Sequence, residues 1–423
     1  MTITDSRNDS DALDIYIARQ PIHDQSLGVI GYELLYRHAN TEHARIDDED
    51  LASSAVILGS FMHIGIDTLV GSALAFVNLS RRFIVDASLL PFFEGQVVLE
   101  IREDLEPDDQ ILTGLRRLKD LGHKVSLDDF AARPGRQPLL ELADYVKLDV
   151  LKQDPARLRE LLAMLRSHDV GVVAKNVETQ ELHERCQALG FDYFQGFFYC
   201  RPKMVAQHGL PPNQAVVLRL IQQLEDPDSD VRDLERVLAQ EVTMTYKLLR
   251  YVNSAAFARR REIDSLRDAI TLIGIDRIRN WAYLILMGQV AHGKPSALIV
   301  TCMIRARMCE LLAERFQPDI RHQMFVVGLF SLIDALMDSD MPTLLDNLGL
   351  SLPIKLALLE GEGILGELLR QVVEYEQGRW EGLADSQIPR DEYLRAYLEA
   401  LQWSNETMGI VSETGIRTGA SEY

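Results

Sequence analysis

In the first half of this chain, the side chains best suited to chemistry are oxygen donors and lysines placed at the ends of short apolar runs. Glu33 lies in GYELLYR, Asn78 in FVNLS, Glu100 in VVLEIRE and the pair Asp128–Asp129 in SLDDF. Lys147 and Asp149 close VKLD, Glu178 closes AKNVE, and Gln195 sits in YFQGFF. Carboxylate and amide oxygens in this number suit a hard cation such as Mg²⁺ or Mn²⁺, or a phosphate ligand held through one. A single acid at a strand end is ordinarily a helix cap or a solvated loop residue. A series of them at successive strand ends points to a metal–phosphate site, functional or ancestral.

Positioning such a series requires a sheet whose strand ends converge. The apolar runs Ile15–Ala18, Gly31–Leu35, Ala73–Leu79, Val97–Ile101, Lys124–Leu127, Tyr145–Leu148, Val170–Ala174 and Phe191–Phe198 alternate with amphipathic stretches. Among the latter are Asp108–Leu121, Pro155–Ser167 and Gln180–Leu189. Asp154 before Pro155 reads as a helix start and Gly190 as a helix stop. About seven or eight strand–helix repeats in some 200 residues imply a parallel sheet closed into a barrel, whose active face is the rim at the strand ends. No GxGxxG follows any run, which counts against an open dinucleotide-binding sheet.

Beyond a segment with Pro202, Gly209, Pro211 and Pro212, the spacing becomes helical. Ile275, Ile278, Trp281, Ala282 and Ile285 share one face, as do Leu234, Val237 and Leu238. The fold class expected is therefore α/β plus all-α, an N-terminal (β/α)₈ TIM-like barrel followed by a helical domain. The boundaries expected are a flexible 1–13, a barrel over 14–203, a linker over 204–213, helices over 214–402 and a frayed tail over 403–423.

Acidic residues number 64 against 44 basic ones, a formal charge of −20. That balance excludes broad nucleic-acid or anionic-membrane binding while permitting a local basic pocket. The first ten residues lack the order of a signal peptide, and no apolar run approaches membrane-spanning length. Cys186, Cys200, Cys302 and Cys309 form no CxxC pair, so disulfide and zinc frameworks are not expected and the cytoplasm is the expected location. Cys302 and Cys309 read as packing residues. His23–Asp24 and His168–Asp169 read as surface pairs in loops.

The ordered series ELLYR, VNLS, LEIRE, LDDF, VKLD and QGFFYCRP resembles EAL domains, the (β/α)₈-barrel phosphodiesterases of the bacterial messenger cyclic di-GMP, over residues 15 to about 203. Leu34 replaces the family's alanine. The resemblance implies that Glu33, Asn78, Glu100 and Asp128 match ligands of a first Mg²⁺ or Mn²⁺, with Asp129 near a second. It implies ligand contacts at Arg37 and Gln195, a water-holding lysine at Lys147, and a loop anchor at Glu103. Residues 214 to about 335, through YKLLRYVNSAAF, SLRDAITLIGIDRIRNW and FVVGLFSLIDAL, resemble HDOD domains, helical relatives of HD phosphohydrolases without their metal site. The stretch Gly328–Asp334 lacks an adjacent His–Asp pair, and His292 and His322 have no partner motif.

Three departures bear on catalysis. Where active members read A-E-G-V-E, this chain has Ala174-Lys175-Asn176-Val177-Glu178. That places an ammonium where a carboxylate should meet the second cation and assist the base. Cation–cation repulsion opposes a metal there, and Lys175 is free to pair with Asp128 or Asp129. The loop after Phe130 reads AARPGRQPLL in place of a Gly/Ser-rich loop, with Pro134 and Pro138 restricting it, and Arg102 replaces a threonine. The leading expectation is a noncatalytic regulatory protein of the cyclic di-GMP network. In it a degenerate barrel serves as sensor or docking unit, and the HDOD domain contacts other signalling proteins. Two alternatives stand: a weakly active metal-dependent phosphodiesterase with Glu178 as surrogate base, and a scaffold that no longer binds ligand. Nucleic-acid binding and membrane insertion are not expected, and a homodimer is compatible with the sequence.

Overall fold

The computed structural model describes residues 15–38, 65–86, 95–130, 135–201, 212–225, 232, 265–290 and 294–412. Eight strands close into a barrel in chain order. They are β1 (Ile15–His23), β2 (Val29–His38), β3 (Leu74–Asn78), β4 (Val97–Ile101), β5 (Lys124–Leu127), β6 (Tyr145–Asp149), β7 (Gly171–Lys175) and β8 (Tyr193–Gln195). Each apolar run overlaps one of them. β8 is the shortest relative to its run, because the chain turns at Gly196 and enters a 3₁₀ turn at Phe198–Cys200.

Neighbours from β2 to β8 run parallel, but β1 is antiparallel to both β2 and β8. The reason is local. Only Asp24–Gly28 separates β1 from β2, and Asp24 Oδ1 accepts from the backbone N–H of Ser26 and of Gly28, both at 2.8 Å. A turn this short admits no crossover helix, so the two strands form a hairpin. Elsewhere helices make the crossovers, with starts and stops set by local chemistry. Asp108 accepts from Ile111 N–H, Asp154 accepts from Ala156 and Arg157 N–H ahead of Pro155, and Gly190 ends Gln180–Leu189 at φ 92°.

Strand alternation sorts the barrel interior into layers. Ile22, Phe76, Val98, Tyr145 and Val173 pack together as an apolar plug. Two residues further along β3, β4, β6 and β7 come Asn78, Glu100, Lys147 and Lys175. Because side chains of a strand repeat every second residue, this second, polar layer lies inside the barrel at the carboxyl ends.

Every described element after the barrel is helical. A helix opens at Pro212, inside the stretch expected as linker, and Ile278, Trp281, Ala282 and Ile285 are buried as their spacing predicts. The last helix, Arg390–Ser412, enters the stretch expected as a frayed tail, since Ser404 and Thr407 are buried. The face at Leu234, Val237 and Leu238, the YKLLRYVNSAAF segment and His292 lie outside the described residues. Among the described residues no helix is long and apolar enough to cross a membrane.

The helical half docks on β1. That strand pairs with β8 only at Ile22 and His23, leaving its first half without a strand on that side. Tyr375 fills the place: its hydroxyl donates to Ile17 O at 3.0 Å and accepts from Ile17 N–H at 3.4 Å. Tyr16 stacks on Trp380 at 5.3 Å and meets the Tyr375 ring edge-on at 5.8 Å. Replacing Tyr375 with Phe leaves two buried backbone groups unpaired, a cost of about 1–3 kcal/mol. The expected reading is a lower urea midpoint at unchanged m-value for Tyr375→Phe. An unchanged midpoint would show the hydroxyl to be dispensable.

Candidate functional site

Lys147 is the centre of the polar layer. It is fully buried, with Nζ 2.7 Å from Glu33 Oε2 and 2.5 Å from Glu100 Oε1, and it lies over the Phe76 ring at 5.2 Å. An ammonium removed from water is tolerated only when paired, and here two carboxylates from β2 and β4 pair it. Gln195 Nε2 donates to Glu33 Oε2 at 2.6 Å and to Gln20 Oε1 at 2.8 Å, tying β8 and β1 into the cluster. Ser126 Oγ donates to Glu100 Oε1 at 3.3 Å.

A second ion-pair group sits at the ends of β5 and β7. Lys175 Nζ stands 2.8 Å from both Asp128 oxygens and 3.6 Å from Asp129 Oδ1. Lys152 Nζ reaches Asp129 Oδ2 at 2.6 Å and Asp149 Oδ2 at 3.5 Å. The loop carrying Lys175 is fixed by β8: Val177 N–H donates to Gln195 O at 2.9 Å, and Phe198 N–H to Val177 O at 3.1 Å. Gly196 makes this approach achievable, since a Cβ there would stand 2.0 Å from Val177 O. Asn176, at φ 64°, takes the left-handed turn and donates to Asp149 Oδ2 at 2.9 Å.

Burial and mutual repulsion set the protonation of the cluster. Burial penalises the Glu33 charge, but Lys147 and Lys175 outweigh it and hold this carboxyl down at about 2. Glu100 goes the other way. Burial, reinforced by Glu33 and Asp128, outweighs Lys147 and pushes it up to about 8. Asp128 is also raised, by burial and by Glu33. For Lys147 and Lys175 burial works against the charge, yet the surrounding carboxylates raise both. Glu100 is thus the carboxyl of the cluster held furthest above its ordinary range.

The donor set suits one hard cation in its chemistry. Glu33, Asn78, Glu100 and Asp128 offer oxygens from adjacent strand ends, and Glu100 Oε2 is buried without a hydrogen-bond partner. The ammonium groups hold those oxygens, however, and among the described residues no three His, Cys, Asp or Glu side chains stand close enough to hold a metal.

The remaining expected residues divide. Asp128, Asp129, Lys147, Glu33, Glu100 and Gln195 are brought together, and Asn78 pairs in register with Glu100. Arg37 pairs with Tyr16 in the β1–β2 register, and its side chain lies outside the described residues, as do residues 131–134 of the altered loop. Glu103 is exposed in a turn. Glu178 does not join the cluster: it lies past β7 and its field acts on Arg379 of the helical half. His23, expected at the surface, is fully buried against Phe198 and Tyr199 because β1 continues through it. Burial lowers its pKa to about 4. Cys302 and Cys309 are buried free thiols. Gln20 and Lys152 escaped the sequence reading. Gln20, a polar residue inside the apolar stretch Ile15–Ile22, was a signal; Lys152 was one exposed lysine among several.

Residues 6–202 match the EAL domain model and residues 210–343 the HDOD domain model. The uncharacterized protein YuxH of Bacillus subtilis is 28% identical over 93% of this chain and 99% of its own length. Cyclic di-GMP phosphodiesterase CdgJ of Vibrio cholerae is 29% identical over 92% of each chain. A solved EAL domain protein from Listeria monocytogenes is 25% identical over 44% of this chain and 87% of its own, with a TM-score of 0.35. The expectation that this protein is not an enzyme is corrected by CdgJ, a relative along nearly the whole chain that is named as a phosphodiesterase.

The raised Glu100 carboxyl makes a pH prediction. Between the unfolded value near 4.5 and the folded value of about 8 the folded state holds the extra proton, so stability falls as pH rises through that window. Glu100→Gln, which mimics the protonated form, lacks this slope. Relative to the variant, the wild-type protein should lose on the order of 2–4 kcal/mol between pH 5 and 8 in urea unfolding. Parallel curves for the two proteins would refute the assignment of the proton to Glu100.

Proposed function

We propose that this chain, whose two halves match the EAL and HDOD domain models, is a slow, divalent-cation-dependent cyclic di-GMP phosphodiesterase. The observation that carries this reading is the acidic layer at the barrel's carboxyl rim, with Glu33 and Glu100 held by the buried Lys147 and Asp128 held beside them by Lys175. The name of CdgJ supports it. The helical half takes the protein-contacting role that the HDOD resemblance implies.

In this reading Glu33, Asn78, Glu100 and Asp128 would hold one Mg²⁺ or Mn²⁺ once their oxygens turn from the lysines, and the cation would supply Lewis-acid stabilisation of charge developing on the phosphodiester. Lys147 keeps Glu33 and Glu100 at fixed separation. Gln195, anchored on Gln20, orients Glu33. Lys175 stands where active relatives of the resemblance carry a carboxylate for a second cation, and contributes a fixed positive charge beside Asp128 in its place. Asp129 Oδ1, buried without a hydrogen-bond partner, is the acceptor available for the proton of the attacking water. With Lys175 competing for Asp128, cation affinity is low and turnover slow.

The test is quantification of linear dinucleotide from cyclic di-GMP in Mg²⁺ and in Mn²⁺. Slow, cation-dependent product is expected from the wild-type protein, with a loss of roughly 100-fold or more in Glu33→Ala. Lys175→Glu should raise the rate about tenfold or more, equivalent to about 1.4 kcal/mol of barrel-site stabilisation of the transition state. No product from the wild-type protein in either cation would overturn the reading.

A further inference from the structure

Neighbouring residues of β1 face opposite ways. Gln20 points into the barrel toward Gln195, so Arg19 stands on the outer face, where the helical half covers the strand. A cleft remains between them. Its walls include Arg19 and Tyr32 from the barrel, Tyr199 from the 3₁₀ turn, and Thr301, Glu376 and Tyr397 from the helices.

Arg19 is 7% exposed, donates from Nη1 to Leu69 O, and lies 4.2 Å above the Tyr32 ring. Among the described residues no carboxylate pairs with it. Glu376, on the same cleft, is committed to Arg305, which donates to its two oxygens at 2.8 and 3.1 Å. A guanidinium taken out of water with no carboxylate partner among the described residues departs from the general rule that buried charges are paired. The other polar groups on the cleft are hydroxyls, and burial pushes that of Tyr397 up to about 12 despite the neighbouring Arg19, so it remains a neutral donor.

We propose that this cleft between barrel and helices is a binding site for a small oxyanion, a carboxylate or phosphate group that pairs with Arg19. The free space amounts to about 30 Å³, against about 10–15 Å³ for one water. That admits an oxyanion headgroup and excludes a dinucleotide, so the site is separate from the barrel rim and independent of the phosphodiesterase reading. An anion here touches β1 and β2 on one side and the helices on the other, and strengthens their docking by neutralising Arg19.

The full chain is titrated with acetate and, separately, with inorganic phosphate, at constant ionic strength balanced with chloride, while its thermal unfolding is followed. A saturable rise in Tm of a few degrees is expected with at least one of them, acetate marking a carboxylate ligand and phosphate a phosphate ligand. Arg19→Gln abolishes the rise. Val300→Phe, which keeps Arg19 and fills the cleft from the helical wall, abolishes it too and serves if Arg19→Gln fails to fold. A rise that persists in Val300→Phe, or no saturable rise with either anion, would overturn the site.

Discussion

One buried ammonium governs the barrel interior. Lys147 has no exposure, and only the simultaneous presence of Glu33 and Glu100 makes that position tolerable. The three residues come from β6, β2 and β4, which are not adjacent strands, so the pair of contacts holds only if strand order, tilt and register are all correct. Hydrophobic packing alone would accept a slipped register at modest cost. A lysine left facing a valine would not be accepted, because its charge would stay unpaired in the interior. The ion-pair cluster therefore also specifies the fold around it.

β1 connects this interior to the rest of the molecule. Its inward side chain Gln20 steadies Gln195 and, through it, Glu33. Its outward residues Ile17 and Arg19 meet Tyr375 and the interdomain cleft. The helical layer and the barrel cluster thus both bond to the strand that carries Ile17 and Gln20. This is a contiguous physical route between the two halves, made of one strand and three side-chain contacts.

Much of this was legible in the residues. The apolar runs gave all eight strands to within a few positions, because their alternation with capped amphipathic helices leaves few other readings. Most of the polar residues at their ends lie together in the structure, and the pairing of Lys175 with Asp128 follows from charge alone. What escaped depends on three-dimensional neighbours. The antiparallel β1 is dictated by a five-residue connection whose consequence is visible only once the sheet is closed. Glu178 shares a motif with Lys175 in sequence, yet the left-handed turn at Asn176 separates their surroundings. His23 looked like a loop residue, because nothing local tells that Phe198 and Tyr199 will cover it. The raised Glu100 carboxyl comes from burial, reinforced by Glu33 and Asp128 against the pull of Lys147, which no linear reading supplies.

The hydroxyl of Tyr375 on Ile17 has a bearing on how the two halves can exist apart. Freed of the helical layer, the first half of β1 would present its unsatisfied backbone groups along an open edge, flanked by the aromatic ring of Tyr16. Such an edge is a template for strand addition, and two copies of a severed barrel would satisfy it by pairing with each other. Self-association of the isolated N-terminal half would then report the loss of its cover, not a native dimer. In the intact chain the helices act as an intramolecular guard of that strand edge.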